Sequence, residues 1–130
     1  MALKFNIIMK KILLLLLSIV FITTIKAQKI IGLWYSQDSS RIYEIKELSG
    51  NNFMATIKSS YRKKDSVGYV VIKNLLYNIR RKRYEGIIYA VADGQATFVK
   101  IKFDKHNSNK LILKLNRMLV MDIAINWVRV

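Results

Sequence analysis

From Lys29 to Val130, apolar and polar side chains alternate with a period of two. That spacing sends successive side chains to opposite faces of a strand, and no helix presents a face with it. Eight segments carry the pattern. Ile30–Ser36 is the first, and Arg41–Glu47 follows with Tyr43 and Ile45 on one face and Glu44 and Lys46 on the other. Phe53–Lys58 repeats the alternation. Val67–Tyr77 is longer and apolar on both sides, readable as one strand, two short strands or an irregular crossing. Arg83–Val91, Ala96–Phe103, Lys110–Leu115 and Met121–Val130 complete the set.

The links between these segments are short and carry turn chemistry. Ser49-Gly50-Asn51-Asn52 and Asp93-Gly94 tolerate positive φ, Asp104–Asn109 is a polar loop, and Asn116-Arg117 reads as a tight link. Eight short strands joined in this way predict an all-β, antiparallel, up-and-down barrel. The chain has no proline to blunt an open sheet edge, so closure is the expected solution to the edge problem.

Residues 1–27 differ from the rest. Lys10 and Lys11 precede the apolar run Ile12–Ile22, and Thr23-Thr24-Ile25-Lys26-Ala27 closes it. A basic start, a short apolar middle and a small terminal residue make up a secretory signal, with cleavage expected after Ala27. The apolar core is about 14 residues, short of the roughly 20 needed to span a bilayer, which favours cleavage over anchoring. Met9-Lys10-Lys11 is itself a sufficient start, leaving Met1–Ile8 as a candidate upstream extension. The expected organisation is a signal peptide over 1–27 and one barrel domain over 28–130, exported to the periplasm or beyond. Four of the 23 Lys and Arg precede residue 28 and no acid does. Residues 28–130 therefore hold 19 basic against 8 acidic side chains, a net charge of +11. Such a field favours anionic partners, and for an exported protein those are envelope lipids or glycans rather than nucleic acid.

The chain offers little for catalysis. Without cysteine, thiolate nucleophiles, disulfides and Cys-ligated metals are excluded. His106 is the one histidine, in a polar loop with no acid–nucleophile pair beside it in sequence. Ser36, Ser39 and Ser40 flank Asp38 as turn residues, and no acidic spacing resembles a calcium loop. A non-enzymatic protein without metal or cofactor is the expectation, and a hydrolase hidden on the barrel ranks last.

Two sets of residues remain as candidate binding elements. The inward phase collects Trp34, Tyr43, Ile45, Phe53, Ile57 and Tyr84, then Ile88, Val99, Ile101, Leu111 and Leu113. Tyr43, Phe53, Tyr84 and Val99 would line a pocket for a small apolar guest, though the same residues suit a filled core equally well. The second set is cationic. Arg80-Arg81-Lys82-Arg83 sits between the fourth and fifth strands, and Arg62-Lys63-Lys64 between the third and fourth. Consecutive links of a meander emerge at opposite ends, so the two clusters cannot form one stripe for a nucleic acid. The first shares its end with Lys105 and His106, a basic mouth suited to anionic headgroups. Ile31, Leu33, Ile72, Ile87, Tyr89, Phe98 and Ile112 fall on the outward phase. Gathered into a patch, they would imply a dimer, a partner or a membrane surface.

Several of these residues also carry a resemblance. Gly32-Leu33-Trp34 near the start of the barrel, with Arg129 in the last strand, resembles the lipocalin-like (calycin) barrels. Adding Tyr84–Tyr89 followed by Asp93-Gly94, and Trp127-Val128-Arg129, the chain resembles a family of small exported bacterial proteins of unknown function with such a barrel. The resemblance implies that Trp34 plugs one end, that Arg129 packs across its ring, and that Gly32 belongs to the same closure. A guanidinium over an indole gains a cation–π contact. The functional expectation is an exported barrel binding a small apolar or amphiphilic molecule or an envelope component. The alternative is a structural or interaction module of the envelope with a filled interior.

Overall fold

The period-two segments become eight strands: β1 (Gly32–Tyr35), β2 (Arg41–Ser49), β3 (Asn52–Ser60), β4 (Val70–Asn78), β5 (Arg83–Tyr89), β6 (Ala96–Phe103), β7 (Lys110–Met118) and β8 (Met121–Arg129). Each pairs antiparallel with the next, and β8 pairs with β1, closing the barrel. The computed structural model describes residues 6–16, 30–118 and 121–130, with side chains 117, 118 and 121 left out of the description. The expected cleavage point after Ala27 lies outside the described residues.

The chain divides into two units, Met1–Ile30 and Ile31–Val130. In the first, residues 6–16 are helical, as befits a run rich in Ile, Leu and Lys without Gly or Pro. No helix among the described residues is long and apolar enough to cross a membrane.

In the second unit the alternation has its expected consequence. Trp34, Tyr43, Ile45, Phe53, Ile57, Tyr84, Ile88, Val99, Ile101, Leu111 and Leu113 are all buried, and Val71, Leu75 and Trp127 join them. Their rings meet in the interior. Tyr43 stacks on Trp127 with centroids 4.2 Å apart, Phe53 meets Tyr84 edge-on at 5.7 Å, and Trp34 lies tilted against Phe103 at 6.3 Å.

Three local expectations need correction. Ile72 belongs to the core, fully buried beside Val71, because β4 does not keep strict alternation. Its register slips between Lys73 and Leu76, around Asn74 with φ 52°. The strand is thus continuous but bulged, and it starts at Val70 because Ser66–Tyr69 forms a turn held by Tyr69 N–H donating to the Ser66 carbonyl. Finally, Asn116 and Arg117 are not a link: β7 continues to Met118, with Asn116 opposite Asp122.

The bulge explains one glycine. A Cβ on Gly86 of β5 would lie 3.0 Å from the Lys73 carbonyl oxygen and 3.1 Å from Leu75 Cα, so the backbone of bulged β4 occupies the space a side chain needs. Gly32 answers a different demand. Its φ of 140° disfavours any side chain, and a Cβ there would lie 3.3 Å from an Arg129 guanidinium nitrogen.

Candidate functional site

An up-and-down barrel sends alternate links to the same end. The β4–β5 link (79–82) and the β6–β7 loop (104–109) therefore share an end, with the outer wall of β5, β6 and β7 leading up to it. Toward that end, lysines dominate the outward face of β6 and β7. Lys100 of β6 stands directly opposite Lys114 of β7, Lys102 stands opposite Ile112, and Glu85 of β5 stands opposite Lys100. A groove of about 480 Å³ opens here, lined by Arg83, Lys100, Lys102, Phe103, Asp104, Lys105, His106, Ile112 and Lys114.

The loop at the groove's mouth is fixed by Asp104. Its carboxylate accepts from the backbone N–H of His106 at 2.8 Å and of Asn107 at 3.2 Å, with Lys110 Nζ at 3.9 Å. The His106 amide, with Lys110 nearby, lowers the Asp104 pKa below the ordinary carboxylate range. Asp104 is thereby occupied with the loop, and the groove keeps five cations. Among the described residues no ion pair neutralises Lys100, Lys102, Lys105 or Lys114. Like charges directly across an antiparallel pair are destabilising, so the Lys100–Lys114 juxtaposition is a cost the fold alone does not explain.

Of the four cations expected at the anionic surface, Arg83 lines this groove. It donates to Glu85 Oε1 at 3.0 Å, and Arg81 approaches the same oxygen at 3.7 Å. The Arg83 hydrogen bond is the main reason Glu85 has a lowered pKa. Arg80, Arg81 and Lys82 are exposed in the neighbouring link. Arg62 occupies the opposite end, paired with Asp38 at 2.8 Å, while Lys63 and Lys64 are exposed beside it. Sequence reasoning missed Lys100, Lys102 and Lys114 as site residues. Their signal was the lysine on the outward phase of two consecutive strands, which a meander must set side by side.

The interior candidates Tyr43, Phe53, Tyr84 and Val99 are all buried in the core. Burial pushes the Tyr43 phenol up, and takes Tyr84, which also faces Tyr77, up to about 12. Gly32, Trp34 and Arg129 meet at the seam: Trp34 pairs in register with Arg129, whose Cζ lies 4.2 Å from the indole centroid. Ser36 and Ser40 both donate hydroxyl hydrogens to Asp38, the geometry of a capped turn. Among the described residues no group of three or more His, Asp or Glu could hold a metal ion.

A second groove of about 580 Å³ adjoins the first across Glu85. Asn51, Asn74, Leu76, Tyr77, Asn78, Glu85, Gly86, Ile87 and Phe98 line it. Ile87 and Phe98 are register partners, and Leu76 and Phe98 are exposed. The outward apolar positions thus partly gather into a patch.

No protein-family model matches the chain, and no curated protein matches it. Among solved structures it is similar to protein HP1028 from Helicobacter pylori, described as belonging to the lipocalin family. The TM-score is 0.60 at 17% identity, over 77% of this chain and 82% of that one. That likeness and the closed antiparallel barrel of eight strands show a lipocalin-like fold.

Proposed function

We propose that this chain is an exported, non-enzymatic binding protein that holds the anionic group of an envelope amphiphile in its outer basic groove. The lipocalin-like fold supports a binding role, and the leader-like segment at 1–27 supports export. The observation that carries the reading is the unneutralised row of Lys100, Lys114 and Lys102 beside Arg83 and Lys105, with the apolar Ile112 opposite Lys102. Cations left unpaired and set against each other gain most from a ligand that supplies the missing negative charge.

Vesicle co-sedimentation tests it. Binding is expected to vesicles containing anionic phospholipid and not to purely zwitterionic ones, and to weaken as salt rises. The double substitution Lys100→Ala, Lys114→Ala should lower the affinity by about tenfold or more, at about 1 kcal/mol for each basic residue near an anionic surface. Equal binding to both vesicle types, or an unchanged affinity in the double variant, would overturn the reading. The ring-on-ring packing of the interior favours a second reading, a filled scaffold with no small-molecule ligand. Native mass spectrometry of protein from its own envelope separates the two, since a scaffold carries no retained lipid.

A further inference from the structure

The two outer grooves are neighbours, and their chemistry is complementary. On β6, Phe98 and Lys100 are successive outward positions, about 7 Å apart along the strand. Phe98 faces Ile87 on β5, and Leu76 on β4 lies opposite Glu85. Phe98, Ile87 and Leu76 form the apolar part of this wall, which spans about 10 Å over three strands at the usual strand spacing, with Lys73 opposite Ile87 and Asn74 and Asn78 also lining the groove. Among the described residues Glu85 is the one carboxylate between the grooves, and Arg83 and Arg81 hold and neutralise it. Each groove lies within the roughly 300–1,000 Å³ typical of pockets for small molecules.

We infer that the two grooves form one bipartite site for a single-chain amphiphile with a phosphate headgroup, the phosphate on Lys100 and Lys114 and the hydrocarbon chain over Phe98, Ile87 and Leu76. The inference rests on the proposed anion-binding role and deepens it by naming what the apolar half receives. Charge selects the occupant. A neutral apolar molecule would leave the adjoining cations unpaired, and a purely hydrophilic anion would leave Phe98 and Leu76 exposed. Only a molecule with both parts satisfies both halves, and the juxtaposition fixes its direction, head toward the 104–109 loop and chain toward β4.

Calorimetric titration of the purified protein with dodecyl phosphate below its micellar range, inorganic phosphate and an uncharged dodecyl glycoside tests it. Dodecyl phosphate should bind at least about tenfold tighter than inorganic phosphate, the gain expected from burying a few methylene groups. Phe98→Ser and Ile87→Ser should each remove most of that gain and leave inorganic phosphate binding unchanged, which also reports that the variants are folded. If both phosphates bind equally and both depend on Lys100 and Lys114, the bipartite site is wrong and the anion-binding role stands. If the glycoside binds as tightly as dodecyl phosphate, the apolar patch works alone and the inference fails. If neither phosphate binding responds to Lys100→Ala, Lys114→Ala, the anion-binding role itself falls.

Discussion

Asp65 shows how much of this barrel's polar chemistry is spent on holding its links. Its carboxylate accepts from Arg41 Nε at 2.6 Å and Nη2 at 3.1 Å, and from the Ser60 hydroxyl at 2.6 Å, tying the β3–β4 link to the start of β2. The Arg41 hydrogen bonds, helped by Ser60, bring its pKa down to about 2. A carboxylate with a depressed folded-state pKa stabilises the native state at every pH above its unfolded value. That contribution disappears as the pH falls from about 4 towards 2. Thermal midpoints measured between pH 5 and 2 should therefore fall more steeply in the wild type than in Asp65→Asn; parallel curves would show that the pair contributes nothing. Asp65 was only one of eight scattered acids in the sequence. Its two partners lie 24 residues before it and five before it, so only the paired strands reveal the clamp.

At the scale of the strand, the alternation made most elements legible and β4 the hardest to read. Ala96–Phe103 alternates cleanly and forms over the span its pattern predicts. Val67–Tyr77 does not, because register shifts, against β3 between Val70 and Ile72 and against β5 between Lys73 and Leu76, let Val71, Ile72 and Leu75 all turn inward. The bulge and Gly86 are two halves of one device, one strand pushing its backbone into the space that the other leaves empty. Gly86→Ala should destabilise the fold by about 1–3 kcal/mol, the usual cost of overpacking a tight site. Chemical denaturation checks this directly. A loss below about 0.5 kcal/mol, the range of neutral surface changes, would mean that β4 moves aside freely. Gly86 was visible in the sequence only as part of a resemblance, since nothing local to β5 announces a bulge on its neighbour.

For the whole molecule, sequence reading reached the closed meander and the core, because both follow from periodicity and short links. It reached the basic site incompletely. Arg80–Arg83 stood out as a run, whereas Lys100 and Lys114 are isolated in sequence and become neighbours only through the register of β6 on β7. Closure itself is uneven. β1 and β8 share two register pairs, against eight between β7 and β8 among the described residues. Trp34 and Arg129 occupy one of those two pairs, and a partly desolvated cation–π contact contributes about 1–2 kcal/mol there. Amides of Gly32–Tyr35 should accordingly exchange with deuterium fastest among the barrel strands, and Arg129→Ala should hasten them further. Uniform protection around the barrel in both proteins would refute this. The barrel is in effect a scroll tacked at its two margins. The least costly way to its inside runs between those margins, and parting them would leave the other seven joins between strands intact.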